Sequence, residues 1–274
     1  MGGLNTKQFV NPEVIYYPTF DSSNEELRTI PALYYKPAED TVPFPVLAYI
    51  HGGPESQFWP HFSSRIQYMV HELGIAVIAP NVRGSSGYGK TWLTLDNGYN
   101  RHKTVKDIGM LLQWISRQPV FNSTRIGVIG GSYGGYMALM AMAAYNDKLA
   151  CGIDIFGISN FVTFLKNTKA YRRDLRRAEY GDERDPAMQK YLLSISPITH
   201  CTNIKKPLFV LQGANDPRVP ASESEQMVRA IRRNNGHVWY LLAKDEGHGF
   251  NKKANADVIE TAIVLFLETY LLPN

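Results

Sequence analysis

Three residues in this chain stand where acyl-transfer chemistry would need them: a serine at 132, an aspartate at 216 and a histidine at 248. Ser132 lies inside Gly130-Gly131-Ser132-Tyr133-Gly134-Gly135, after an apolar run and before a stretch of small residues. The pattern Gly-x-Ser-x-Gly has a physical basis. A sharp strand-to-helix turn lifts the hydroxyl above a sheet, and the flanking glycines tolerate the strained backbone and allow close helix packing. The amino end of the following helix also favours negative charge nearby. A serine hydroxyl is a poor nucleophile at neutral pH, so it needs a base within hydrogen-bond reach and a third group that fixes the tautomer of that base.

The partners are expected downstream, each on a loop that follows a strand. Asp216 sits in Gly213-Ala214-Asn215-Asp216-Pro217-Arg218, directly after the apolar run Leu208 to Leu211. His248 sits in Glu246-Gly247-His248-Gly249-Phe250, between the next strand and the last helix. His61, His71, His102, His200 and His237 fall in loops or on helix surfaces without such a context, whereas Asp154, inside an apolar strand, stays open as an alternative acid. A tetrahedral oxyanion needs donors, each worth about 3 to 4 kcal/mol. His51-Gly52-Gly53-Pro54 follows an apolar strand and supplies bare backbone, so the expected donors are the N–H groups of Gly53 and Tyr133.

These residues must be held by a frame. From Glu13 to Lys36 the chain is β-rich and interrupted by Pro18, the polar run Asp21 to Glu26 and Pro31, a pattern that predicts a hairpin of antiparallel edge strands. Beyond it, apolar strand, loop and amphipathic helix alternate, which predicts an α/β fold with a mainly parallel sheet covered by helices on both faces. The expected core strands are Val46 to Ile50, Ala76 to Ala79, Arg125 to Ile129, Cys151 to Phe156, Leu208 to Leu211 and Val238 to Leu242. Helical patterns cover Ser64 to Leu73, Val105 to Arg117, Tyr136 to Tyr145, Glu223 to Arg233 and Ala256 to Tyr270. Ser159 to Thr199 holds no β-like run and predicts a helical insertion, either a lid or pocket wall at the ligand-binding ends of the strands or a plain surface excursion. Within it Arg172, Arg173, Arg176 and Arg177 recur at helical spacing, which predicts a solvated face.

Composition narrows the classes. The 274 residues are 44% hydrophobic, enough for one sizeable core, and a single domain over residues 1–274 is the expectation. The formal charge of +4 is spread along the chain, so no nucleic-acid footprint is expected. Two cysteines, Cys151 and Cys201, suggest neither a disulfide framework nor a zinc cluster, and no metal or cofactor is expected. No apolar run approaches the roughly 20 residues that cross a bilayer, and the amino end lacks a signal-peptide core. The expected setting is a reducing, cytoplasmic one without membrane contact.

With these residues assembled, the chain resembles the catalytic domain of the prolyl oligopeptidase family, an α/β-hydrolase fold found in acylaminoacyl peptidases and dipeptidyl aminopeptidases. Five ordered motifs carry the resemblance: His51-Gly52-Gly53-Pro54, Asn81-Val82-Arg83-Gly84-Ser85-Ser86-Gly87-Tyr88-Gly89, Gly130 to Gly135, Gly213 to Pro220 and Glu246 to Phe250. It implies a serine peptidase acting on peptide or aminoacyl bonds through Ser132, His248 and Asp216. It further implies that Arg218 contacts a backbone carbonyl of the substrate, a task suited to a forked guanidinium, with a salt bridge bracing the acid loop as the alternative. His51 and Tyr88 are the other substrate contacts it suggests. His51 stands where prolyl oligopeptidases proper carry an oxyanion tyrosine, which favours the acylaminoacyl-peptidase pattern with a backbone donor at Gly53.

Family members usually carry a β-propeller before the hydrolase domain, and no propeller pattern is expected in these residues. The opening Val10-Asn11-Pro12-Glu13-Val14 resembles the segment that joins the two, so a domain separated from its propeller and a hydrolase that never had one both fit. A carboxylesterase acting on small esters is the alternative activity, and a non-catalytic binding module on the same fold is the alternative class. The apolar last helix leaves two options, an oligomer interface or burial on its own sheet.

Overall fold

The computed structural model describes residues 9–23, 25–38 and 42–272. A sheet of eight strands runs through them in the order β1-β2-β4-β3-β5-β6-β7-β8. The strands are β1 (Glu13–Ser23), β2 (Glu26–Tyr35), β3 (Phe44–Ile50), β4 (Ala76–Pro80), β5 (Phe121–Gly131), β6 (Cys151–Ile155), β7 (Leu208–Gly213) and β8 (Val238–Ala243). From β4 through β3 to β8 all pairs are parallel, while β1 and β2 pair antiparallel and β2 joins β4 antiparallel. This is the α/β-hydrolase fold.

Pro18 and Pro31 lie inside the first two strands rather than ending them, paired with Thr29 and Tyr16. Proline is tolerated where no ladder bond needs its missing N–H. β1 is an edge strand, and the β2 to β4 ladder begins at Ala32, one residue past Pro31. There the Pro31 carbonyl accepts from the Asn81 N–H at 2.8 Å.

Strand side chains alternate between two faces. Val46, Ala48 and Ile50 of β3 join one apolar cluster, and Leu47 joins the other. The first cluster is closed by α3 (Lys103–Ile115), α4 (Tyr133–Ala144) and α8 (Ala221–Arg233), and the second by α1 (Ser64–His71) and α9 (Lys253–Tyr270). Ile259, Ile263, Phe266 and Leu267 of α9 follow helical spacing and are buried against the sheet, leaving Val258 and Leu265 exposed. A four-residue helix, α2 (Lys90–Leu93), lies in the stretch that the sequence pattern leaves unassigned. Cys151 and Cys201 are buried and unlinked. No helix among the described residues is long and apolar enough to cross a membrane.

Between β6 and β7 the chain forms α5 (Phe161–Asn167), α6 (Ala170–Tyr180) and α7 (Pro186–Ser194). Asn160 caps α5 by accepting from the Val162 N–H at 2.9 Å, and Asp185 caps α7 through Met188 at 2.7 Å, ahead of a proline at the first turn. Glu223 of α8 clamps the start of the insertion. Its buried carboxylate accepts from the Asn160 N–H at 2.8 Å and from the Thr163 hydroxyl at 2.5 Å. Phe161, Phe164 and Leu165 anchor α5 in the core.

Candidate active site

β5 hands the chain to α4 through Ser132 alone. Its φ of 58° and ψ of −118° are sparsely populated for a residue with a side chain, a strain of about 1 to 3 kcal/mol. The surroundings hold it there: Ser132 N–H donates to Ile155 at 2.9 Å, and its carbonyl accepts from Tyr136 at 3.1 Å. Gly134 explains how close the helix comes, because a Cβ at that position would lie 2.3 Å from the Ile50 carbonyl oxygen. As the first residue of α4, Tyr133 carries an N–H that the helix itself cannot satisfy. Its ring is fully buried and its hydroxyl pairs with Thr104 at 2.9 Å, so only the backbone of Tyr133 is offered to the site.

The loop after β7 is shaped by Asp216. One carboxylate oxygen accepts from the N–H groups of Arg218 and Val219 at 2.8 and 3.0 Å, and the other faces His248 Nδ1 at 2.6 Å. A carboxylate only accepts, so Nδ1 carries the proton and Nε2 keeps its lone pair. The Asp216 side chain is fully buried, and the His248 ring lies against Phe156 with centroids 4.4 Å apart. Such a charge-assisted bond is shorter and stronger than a neutral one.

Ser132 and His248 open into one cavity of about 190 Å³, together with Gly52, Gly53 and Arg218. Gly53 adopts φ 127°, and a Cβ there would lie 2.8 Å from the Glu55 nitrogen, so this turn requires glycine. Apolar walls come from Ile158, Phe164 and Val219, and Tyr180 closes the side. The Tyr180 hydroxyl donates to the Gly53 carbonyl at 3.2 Å. Arg218 is exposed at the mouth, and its own carbonyl accepts from Thr168 at 3.0 Å, which ties the acid loop to the insertion.

Asp154 is placed differently. It is fully buried below the elbow, accepts from the Gly157 N–H at 2.9 Å, and its second oxygen has no hydrogen-bond partner among the described residues. Burial pushes its carboxyl up to about 7, against the smaller opposing effect of the Gly157 bond. The histidine's partner is Asp216.

His51 and Tyr88 lie outside the residues lining this cavity. The buried His51 donates from Nδ1 to the Gly52 carbonyl at 2.6 Å and accepts at Nε2 from Ser85 at 2.8 Å; burial pushes its pKa down, with the Gly52 bond opposing. It underpins the glycine loop as a neutral ring. Tyr88 accepts from the Asn81 amide at 2.8 Å, while Asn81 also accepts from the Phe58 N–H at 2.8 Å. The stretch Asn81 to Gly89 is therefore a brace, fixed further by Arg83 in ion pairs with Asp107 and Asp21 at 2.7 and 2.9 Å.

The arginine cluster is divided rather than solvated as a face. Arg177 pairs with Glu183 at 2.5 Å and Arg173 donates to the Thr168 carbonyl at 3.0 Å, whereas Arg172 and Arg176 line the cavity that holds Ser132. Helical spacing of the four was visible in the sequence, but which face of α6 turns inward was not. No group of three or more His, Cys, Asp or Glu positioned to hold a metal occurs among the described residues.

Comparison with known proteins agrees with this fold. A model described as the prolyl oligopeptidase family matches residues 60–273. Dipeptidyl aminopeptidase BIII of Pseudoxanthomonas mexicana is 38% identical over 216 residues, 78% of this chain and 31% of that protein. Dipeptidyl peptidase family member 6 of Caenorhabditis elegans is 35% identical over 84% of this chain and 32% of its own length. Among solved structures, a puromycin-hydrolyzing peptidase of Mycobacterium tuberculosis superimposes with a TM-score of 0.88 at 25% identity, covering 99% of this chain and 42% of that one. The chain thus spans about a third of the length of the curated relatives it matches. It belongs to the prolyl oligopeptidase family.

Proposed function

We propose that this chain is the catalytic portion of a serine peptidase that cleaves peptide or aminoacyl bonds by acyl transfer. The observation that carries the reading is the 2.6 Å contact of His248 Nδ1 with the buried Asp216 carboxylate, in a cavity shared with the strained Ser132. In this reading His248 Nε2 takes the Ser132 proton as the serine oxygen attacks the carbonyl carbon. The oxyanion accepts from the N–H groups of Gly53 and Tyr133. His248 then protonates the departing amine, and the same base activates the water that releases the acyl group. Arg218, exposed at the cavity mouth, takes a backbone carbonyl of the substrate.

A cavity of about 190 Å³ suits one side chain or a small acyl group. That is below the range of roughly 300 to 1,000 Å³ that encloses drug-sized ligands. The names of the relatives, a dipeptidyl aminopeptidase, a dipeptidyl peptidase family member and a puromycin-hydrolyzing peptidase, favour amide over ester substrates. Dipeptidyl specificity would require a group that pairs the free amine of a substrate, and the residues lining this cavity include no carboxylate. Rates on aminoacyl anilides and on matched short-chain esters test the reading: turnover of the anilides is expected, and turnover confined to esters would replace it with a carboxylesterase.

A further inference from the structure

The arginines of α6 have no place in the chemistry above. Arg172, Arg176 and Tyr180 fall at successive four-residue intervals, so they share one face of the helix, and all three line the cavity of Ser132. Tyr180 is fixed at the oxyanion loop by its bond to Gly53. With a rise of about 1.5 Å per residue, Arg176 stands roughly 6 Å and Arg172 roughly 12 Å farther along the axis. Both arginines nevertheless line the cavity that holds Ser132.

The two cations differ in what they already hold. Arg176 pairs with Glu179 at 2.5 Å. Arg172 makes no side-chain ion pair or hydrogen bond recorded among the described residues, and it is half-buried. The lining residues of the catalytic cavity include Arg172, Arg176 and Arg218 and no carboxylate; Asp216 lies behind the wall, engaged with His248. Glu55 and Glu179 line a separate cavity of about 430 Å³ that shares Arg172 and Arg176 as its wall. Glu179 is engaged by Arg176 and Glu55 forms no ion pair with Arg172 among the described residues, so Arg172 brings a guanidinium without a paired carboxylate to a cavity whose apolar lining is Ile158, Phe164 and Val219.

We infer that Arg172, assisted by Arg176, is a carboxylate receptor, and that the enzyme prefers substrates with an anionic group on the acyl side of the scissile bond. The methylenes of such a substrate lie on the apolar floor, and its carboxylate takes forked donors from the guanidinium. This inference rests on the hydrolase reading of Ser132 but not on the choice between amide and ester.

Two sources of the carboxylate are chemically equivalent: the side chain of the acyl residue and an acyl cap on its amine. The test compares matched pairs, glutamyl against glutaminyl and N-succinyl-alanyl against N-acetyl-alanyl, each as a nitroanilide and as a nitrophenyl ester. The anionic member is expected to have kcat/KM about 10- to 100-fold higher in at least one pair, the range of a hydrogen bond to a charged group. The pair that shows it identifies the source. Arg172→Gln should bring the ratio towards one, Arg172→Lys should restore part of it, and Arg172→Glu should invert it in favour of lysyl over glutamyl substrates. Ratios near one in both pairs, or a ratio that survives Arg172→Gln and Arg172→Glu, would overturn the inference. Turnover of esters alone would sink the peptidase reading while leaving these ratios readable.

Discussion

The Tyr180 hydroxyl donates to the Gly53 carbonyl at 3.2 Å, so the last turn of α6 holds the loop whose N–H is proposed as an oxyanion donor. The same ring stacks on Tyr133 at 5.9 Å with an 18° interplanar angle, and the fully buried Arg101 lies over both rings, 5.2 Å from Tyr133 and 4.7 Å from Tyr180. The two proposed oxyanion donors are thereby supported from one aromatic stack.

Removing that hydroxyl tests the support. Tyr180→Phe keeps the stack and deletes one hydrogen bond, worth about 1 kcal/mol. The expected result is a fall in kcat of about 3- to 10-fold with a smaller change in KM, read from steady-state kinetics. An unchanged kcat would show that the loop holds its geometry without Tyr180.

Asp216 and Asp154 are separated by exchange for asparagine. In Asp216→Asn the side chain still accepts from Arg218 and Val219, but an amide facing Nδ1 favours the wrong histidine tautomer. A loss in kcat on the order of 10⁴ is expected for that variant. Asp154→Asn should stay within about tenfold of the parent. The opposite ranking would return the role of acid to Asp154.

Asp154 should instead appear in the pH dependence of stability. Its folded pKa of about 7 lies above the ordinary value of 3.8 because burial disfavours the charged form. Between those values the folded state binds the extra proton, so this group's contribution to stability falls as pH rises from about 4 to about 7 and is flat beyond. Urea midpoints at pH 5 and pH 8 should therefore differ less in Asp154→Asn than in the parent. An identical difference in both would contradict the assignment.

The elbow makes a packing prediction. A Cβ at Gly134 would sit 2.3 Å from the Ile50 carbonyl oxygen, which is backbone and cannot move aside cheaply. Gly134→Ala should destabilise the protein by about 1 to 3 kcal/mol in urea titrations, as overpacking does. Parent-like stability would mean that α4 is not held against β3 in solution.

Much of this arrangement was legible because its causes are local. The apolar period and the glycines around Ser132 specify strand, turn and helix within a dozen residues, and Asp216 and His248 follow strands whose apolar runs are unmistakable. What stayed hidden depends on side-chain and strand pairings that spacing alone does not reveal. His51 and Tyr88 belong to motifs beside the cavity, yet Ser85, 34 residues away, takes the His51 ring, and Asn81 takes Tyr88. Helical spacing groups the α6 arginines but cannot say which pair turns inward; that is decided by Glu183 drawing Arg177 away and by Tyr180 docking on Gly53. Pro31 reads as a strand breaker because the end of the β2 to β4 ladder cannot be seen from β2 alone.

Everything proposed for this site depends on Ser132 being a nucleophile activated by His248. Labelling the folded chain with a fluorophosphonate and locating the adduct by peptide mass spectrometry tests it most directly. One adduct is expected, on Ser132, which is lost in Ser132→Ala and formed far more slowly in His248→Ala. Absence of an adduct on the folded chain, or an adduct on another residue, would contradict it.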